Sequence, residues 1–563
     1  MHRPSFMFLR NPRKLFLTIA FFAAIAVGAF LRLSQITAQV LVGDEWHPVH
    51  QLTYYSLKHI ATSFGNADYS IPLVLYYWPQ MKHFGVSELS LRLPMIVAGL
   101  LTLIAFPLAL RNRIDDRTVA IFALLLAISP FVISYSRIGR PYAVTLLGIF
   151  AAFWCLERAL RERGVMWKYA AAYAALCGAV VWTHAICGPM LVAPLIALWW
   201  VRFGGSGLAW RPLIGLTALT GATMALAVLP PLLGDPAALA GKSGVDSITL
   251  ETVYGAMFLW FGTGSTWVLA ICTLFAVIGG PVIWRATPIV RWTTLGVALT
   301  VLALLLTRPW WVDRPLAFGR YLLPVVPLLL LATAAGIIRA ADSVQRLIVR
   351  GDGDTGRIDS GEGALAPTLF IALPLLAASW ATSPLPEIIE RPNSYTQDSY
   401  FQYDYRKERN PIRSGQPALP ASPFWASLAS SPPGSLKIAV APFRYSTHEW
   451  PSALWERDSR QRVVPAYLWG ACEATRHGEV PPDARFRFRN AAHLKSRDDL
   501  IAQGIDYLGY YLTPAREGLS PPLPHCEAWV RAHYGPPDHE DASLLVWKIR
   551  PVTAQQANRV VHQ

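Results

Sequence analysis

The chain has 563 residues, 53% of them apolar and 15% charged, with a mean hydropathy of +0.33 and a net charge of +14. That balance excludes an ordinary soluble globular protein and predicts a membrane protein. The surplus of Lys and Arg follows from where membrane proteins collect positive charge, so it does not argue for nucleic acid.

Apolar runs of about 20 residues, enough to cross roughly 30 Å of hydrocarbon as helix, recur along the first two thirds of the chain. Eleven spans are predicted: 15–34, 93–110, 118–135, 142–159, 168–184, 188–202, 213–233, 265–284, 292–307, 321–339 and 365–382. The first follows Arg3, Arg10, Arg13 and Lys14 and is long enough to serve as an uncleaved anchor. With the N-terminus on the cytoplasmic side, Arg111/Arg113/Arg117, Arg158/Arg161/Arg163/Lys168, Arg202/Arg211, Arg285/Arg291 and Arg339/Arg346/Arg350/Arg357 fall inside. Gly43 to Gln51, and everything after Ser383, then fall outside.

Three regions are expected: a membrane domain 1–383, a polar connector 384–433 and an outer α/β domain 434–563. The inner loop 350–363, "RGDGDTGRIDSGEG", reads as a linker, since it lacks the ligand register of a calcium loop. In the tail, "SLKIAVAPF", "IDYLGYYL" and "SLLVWKI" read as strands, and "AAHLKSRDDLIAQG" and "CEAWVRAHYG" as helices. Cys155, Cys177, Cys187 and Cys272 lie in apolar spans and read as small buried hydrophobes. Cys472 and Cys526, the two in the tail, could pair in an oxidising compartment.

Polar chemistry gathers on the outer side. The first outer loop, 35–92, carries "VGDEWHPVHQ", with Asp44, Glu45, Trp46, His47 and His50, and further on Asp68, Lys82, His83, Glu88 and Arg92. "SYSRIGRPYAV" brings Arg137, Arg140 and Tyr142, "WTHAICG" brings His184, and "TRPWWVDRPLAFGRYLLPVVP" brings Arg308, Asp313, Arg314, Arg320 and Tyr321. A few acids facing several arginines at a membrane surface fit transfer chemistry on an anionic lipid, while the nearly uncharged span interiors argue against an ion-coupled transporter.

In this order, "FLRL", "GDE", "YSIPLVLYYWPQMKHFGVSELSLRLPMIVAG", "SYSRIGRPYAV" and "RYLLPVVPLLLL" resemble the polyprenyl-phosphate-sugar-dependent glycosyltransferases of the GT-C fold. The nearest types are the protein O-mannosyltransferases, the lipid A aminoarabinose transferases and the rhizobial galacturonosyltransferases. The resemblance covers roughly residues 15–340, and "DYSIPLVLYY" departs from the "H-PPLYY"-like segment that often follows the acidic pair. It implies a helical polytopic GT-C-like fold of about eleven spans with a small C-terminal α/β domain, and a bacterial inner-membrane enzyme whose tail is periplasmic. The expected partners are a polyprenyl-phosphate-linked sugar, an envelope acceptor hydroxyl on a lipid, glycan or protein, and the bilayer.

The resemblance also implies that Asp44 is the general base, and an ionised carboxylate beside the attacking hydroxyl suits that task. Arg137, Arg140 and Arg320 are the candidates for the donor phosphate, with Arg314 and His184 behind them, because a guanidinium fork stays charged and reaches two phosphate oxygens. Each arginine also has the reading of an interfacial anchor, Arg308 most of all. Glu45 either orients Asp44 or the acceptor, or is a solvated neighbour. Trp46, His47, Tyr142 and Tyr321 are candidate acceptor or sugar contacts, Trp46 equally an interface-belt ring.

No cofactor is demanded. His47 and His50 could share a helical face for a metal with Glu45 or His184, but the His-Glu-x-x-His order is absent and Pro48 suits a helix start. A divalent ion at Asp44 stays open. The competing reading is a flippase of lipid-linked sugars.

Overall fold

The computed structural model describes residues 12–37, 41, 43–65, 70–161, 165–351, 365–386, 405–410, 421–442, 451–467, 483–488, 492–494, 496–513 and 524–550. Asp68, Arg163, Arg357, Cys472, nearly all of the 350–363 linker and most of the expected connector lie outside these residues.

The chain is an α-helical polytopic membrane protein with a small C-terminal sheet region. A helix forms at each of the eleven expected spans: α1 Pro12–Leu33, α5 Glu88–Leu110, α6 Asp116–Ala127 with α7 Pro130–Arg137, α8 Tyr142–Ala159, α9 Trp167–Thr183, α10 Gly188–Phe203, α11 Trp210–Gly234, α14 Thr266–Ala286, α15 Pro288–Thr307, α17 Val325–Gly351 and α18 Leu365–Ala381. Among the described residues, seven are long and apolar enough by themselves to cross a bilayer, and the α6–α7 pair passes only as a broken span bent by 55°. The break has a local cause. Pro130 removes an amide donor and holds Ser129 extended, so the helix restarts in a new direction. It restarts toward the end of α1, which places the turn 138–141 beside the loop 35–92.

That loop is more helical than expected, folding as the 3-10 turn Gly43–Glu45, α2 Trp46–Tyr54, α3 Leu57–Thr62 and α4 Ile71–His83. Each helix is too short to register as a span. Two more short helices are α13 Leu250–Phe261 and α16 Pro315–Tyr321. Tight helix contacts within the bundle rest on small residues, as is usual where lipid supplies no hydrophobic drive. At Gly279 and Gly336 a β-carbon would collide with the backbone at Ala332 and Phe275, so α14 and α17 approach closely only because neither has a side chain there.

The tail builds a six-stranded sheet in the order β3-β2-β1-β4-β6-β5, with β1 Lys437–Ala441, β2 Arg462–Tyr467, β3 Ala492–His493, β4 Tyr507–Tyr511, β5 His539–Glu540 and β6 Leu544–Lys548. Its first four strands are parallel and the last two pair antiparallel. The run "IAVA" is apolar throughout because both faces of β1 are covered. Ala439 and Ala441 meet the helix Pro524–Tyr534, while Ile438 and Val440 meet Phe424, Trp425 and Trp455 on the other side. The helix Pro423–Leu428, in a stretch expected as connector, is thus part of this core. "AAHLKSRDDLIAQG" splits into β3 and the helix Arg497–Ala502, and the helix Pro451–Ser459 and β2 went unread. Cys526 is disulfide-bonded, and Cys472, the partner weighed for it, lies outside the described residues.

The segment 483–488 docks on the membrane part. Phe486 bridges Val86 in parallel, with Val86 N donating to the Arg485 carbonyl at 2.9 Å and Arg487 N to the Val86 carbonyl at 2.8 Å. Lys82 pairs with Asp483 at 3.6 Å, and Phe488 packs edge-on against Trp46 with centroids 5.3 Å apart. Phe488 is buried, and its removal leaves a cavity under α2. Phe488→Ala is therefore expected to cost about 3 kcal/mol, read as a lower thermal midpoint of the purified protein. An unchanged midpoint would show that the segment is not held there.

Candidate active site

Five chain segments meet at one end of the bundle: the turn after α1, the turn 138–141, the end of α9, the end of α15 and the end of α16. Asp44 lies at their meeting point, with its side chain 30% exposed. Arg320 Nη1 donates to Asp44 Oδ2 at 2.6 Å, Arg140 Nε stands 3.6 Å from the same oxygen, and His47 Nε2 is 3.7 Å from Oδ1. Burial pushes the Asp44 carboxyl up, but the two guanidinium groups and His47 outweigh it and hold the carboxyl well below the usual carboxylate range. Arg320 is in turn held above its ordinary value despite burial, with the Tyr142 ring and Asp44 beside it. The stability that Asp44 adds is therefore present above its unfolded value of about 3.9 and is lost as pH falls toward the folded one.

Glu45 is not a solvated neighbour. It is completely buried and gripped by Arg92, whose Nε and Nη2 donate to its two oxygens at 2.9 and 2.8 Å. Gly139 N donates to Glu45 Oε1 at 2.7 Å, and Arg92 Nη1 donates to the Ile36 carbonyl at 2.6 Å. Three segments are thus tied together directly behind Asp44. A β-carbon at Gly139 would press on the Glu45 carboxylate at 3.3 Å, so a glycine suits this approach. Both Glu45 oxygens are thus occupied by Arg92, and Oε1 also by Gly139 N.

The expected arginines divide. Arg140 and Arg320 stand at Asp44, whereas Arg137 is buried with Nη1 donating to the carbonyls of Leu31, Arg32 and Ser34 at 2.9, 3.3 and 2.7 Å. Leu31 and Arg32 lie in the last turn of α1 and Ser34 just past it, so in the ligand-free structure Arg137 caps the end of that helix. Arg314 is exposed and stacks over Trp311 at 3.8 Å from the ring centroid. Arg308 donates to the Asp246 carbonyl at 3.2 Å and pins the 245–247 loop.

Trp46 lies in the core. It is 2% exposed, donates from Nε1 to the Leu41 carbonyl at 3.3 Å and packs among Val49, Leu52 and Phe488, so it is neither a belt ring nor open for sugar stacking. His50 lies against Tyr54 and Tyr55, with ring centroids at 5.0 and 5.8 Å. Among the described residues no three His, Cys, Asp or Glu side chains form a metal-binding group, and Glu45, considered as a third ligand, is committed to Arg92.

Beside Asp44 opens a cavity of about 390 Å³, lined by Arg140, His184, Lys242, Thr307 and Tyr321 with Phe64, Trp182 and Leu239 as apolar wall. Tyr142 and Tyr321 stand on either side of His184, at 5.3 and 6.1 Å, and both rings face the Arg320 guanidinium, at 5.7 and 5.5 Å. The cavity is mostly apolar, with Arg140 and Lys242 as its cationic groups, which suits a phosphate at the head of a hydrocarbon chain. Sequence reasoning missed Lys242, in a loop between spans that carries no motif. It saw Arg92 only as one charge among many.

The molecule is thus a polytopic helical membrane protein with an Asp–Arg cluster at one end of its bundle. The family model described as dolichyl-phosphate-mannose-protein mannosyltransferase matches residues 72–234, less than a third of the chain, and the resemblance read in the sequence is met there. No protein with a curated function matches the chain by sequence. Of solved structures, ArnT from Cupriavidus metallidurans bound to undecaprenyl phosphate is 14% identical, with a TM-score of 0.45 covering 95% of this chain and 98% of that one. The Archaeoglobus fulgidus oligosaccharyltransferase in the apo form is 12% identical, with a TM-score of 0.45 covering 89% of this chain and 70% of that one. The Archaeoglobus fulgidus oligosaccharyltransferase AglB in complex with an inhibitory peptide and a dolichol-phosphate is 11% identical, with a TM-score of 0.44 and the same two coverages.

Proposed function

We propose that the chain is a membrane glycosyltransferase that moves a sugar from a polyprenyl-phosphate donor to a hydroxyl of an envelope acceptor, on the periplasmic face of a bacterial inner membrane. The observation that carries this reading is the Asp44 carboxylate 2.6 Å from Arg320 and 3.6 Å from Arg140, next to a cavity with an apolar wall. The match of residues 72–234 to the mannosyltransferase model supports the same chemistry.

In this reading the ligand-free site neutralises itself. The donor phosphate takes Arg140 and Arg320 from Asp44, which loses the cations that suppress its basicity and becomes able to accept a proton. The acceptor hydroxyl attacks the anomeric carbon, its proton passes to Asp44, the carbon–oxygen bond to phosphate breaks, and the electron pair leaves on polyprenyl phosphate. Phosphate departs as a stable anion, so no second carboxyl acid is required, unlike a glycosidase. Attack from the face opposite the phosphate inverts the anomeric centre.

Arg320→Gln is expected to lower turnover about 10²–10³-fold, the scale for one donor aimed at developing anionic charge. The acid limb of its pH profile should move upward, because Asp44 loses its nearest cation. A profile that keeps its acid limb would disconnect the two residues.

The reading as a whole is tested with purified protein in lipid, offered a panel of polyprenyl-phosphate monosaccharides and a crude envelope acceptor fraction, with free polyprenyl phosphate recorded. Release that depends on the sugar and on the acceptor is expected. Binding of every donor with no release by folded protein would favour the flippase reading instead.

A further inference from the structure

At the end of the bundle away from Asp44 lies a second cavity, of about 680 Å³, that the proposed reaction does not use. Its place follows from the helices. Arg92, beside Glu45, lies near the start of α5, and the helix lines the second cavity from Ala105 to Leu110, about 20 to 27 Å further along. α15 runs likewise from Ile289, in the second cavity, to Thr307, in the first.

The second cavity is a trough with a basic end. Its floor is Phe106, Leu147, Phe150, Ala151, Leu328 and Leu331, and Leu108 on its edge is 48% exposed on the bilayer side. From Leu147 to Arg158 it follows α8 for about 17 Å, slightly more than the ~15 Å of one leaflet's hydrocarbon. Arg111, Arg113, Arg158 and Arg161 stand at one end of it, and among the described residues its lining holds no carboxylate. Glu157 is occupied by Arg113 at 2.5 Å and by Arg161 at 3.4 Å. The Arg158 Nε is buried with no hydrogen-bond partner, and its guanidinium lies 5.0 Å over the Trp154 ring.

An arginine near a helix end ordinarily snorkels to water. Arg158 instead stays stacked over the mouth of an apolar trough, with a donor unspent. The ligand that answers these features has an anionic, hydrogen-bond-accepting head and an aliphatic tail that enters from the side, and the surrounding bilayer supplies it. We propose that the trough is a binding site for an anionic phospholipid, with its phosphate between Arg111 and Arg158 and one acyl chain along α8. A free phosphate would leave the floor bare, and an uncharged or zwitterionic lipid would leave the excess of guanidinium groups uncompensated.

The test is native mass spectrometry of the full-length protein, stripped in detergent and titrated with phosphatidylglycerol or phosphatidylcholine of identical chains. Wild type is expected to prefer phosphatidylglycerol about tenfold, which is the effect of a ~1.4 kcal/mol difference. R111Q/R158Q should bring the two lipids to parity, and R339Q, a basic residue on α17 outside the trough, should leave the preference intact. Ala151→Phe, which fills the floor and keeps every charge, should weaken both lipids, so the proposal remains testable if the double variant does not fold. Equal binding of the two lipids by wild type, or an undiminished preference in folded R111Q/R158Q, would overturn it. So would displacement of phosphatidylglycerol by equimolar polyprenyl phosphate, which would assign the trough to a carrier lipid.

Discussion

Asp44→Asn is expected to lower release of polyprenyl phosphate at least about 10²-fold, the usual contribution of a positioned general base, while donor binding is kept or tightened. The two readouts move apart for one reason. Asp44 is the anion that Arg320 and Arg140 hold in the ligand-free site, so removing its charge takes away both the proton acceptor and the donor phosphate's competitor. A purely structural role would lower binding and turnover together. Measured with a non-transferable polyprenyl phosphate, a dissociation constant that rises in the variant would contradict the competition, and turnover near wild type would remove Asp44 from the mechanism.

The second large effect is expected at Arg92. Its pairing with Glu45 is bidentate and both side chains are fully buried, so Arg92→Leu leaves a carboxylate with no countercharge behind Asp44. Removing one partner of such a pair costs about 3–5 kcal/mol, and the variant should unfold the Gly43–Tyr54 region or lose a large part of its thermal stability. Arg92→Met combined with Glu45→Gln takes away the stranded charge and keeps an acceptor for Gly139 N. That double variant should recover much of the midpoint while kcat stays low and KM changes little, because Asp44 is no longer aimed from behind. Recovery of kcat with the midpoint would reduce the Glu45–Arg92 pair to packing.

How far the sequence carried this account depends on what each residue's neighbours are. The spans were legible because about 20 apolar residues in a row have few other uses. The break at Ser129–Pro130 was legible in principle from proline chemistry, and went unread because the apolar run continued through it. The helices α2, α3, α4, α13 and α16 are 13 residues or shorter, below the length at which a hydropathy pattern separates a helix from a loop. At the site, Asp44 stood out through its position after the first span and through the family resemblance. The roles of Arg137 and Trp46 could not be read that way. An arginine on a phosphate and one on the carbonyls of a helix end look alike in sequence, and only the packing of α7 on α1 separates Arg137 from Arg140. Trp46 is buried by Phe488, more than 400 residues further along, a contact that no local pattern encodes.

The anomeric configuration of the product tests the central claim most directly. A donor of known anomeric configuration is turned over by purified protein and the glycosidic linkage is assigned by NMR coupling constants. Direct attack with Asp44 as the base predicts complete inversion. Retention would mean that the sugar is first passed to a protein nucleophile, with Asp44 the nearest carboxylate to receive it, and would contradict its assignment as the base.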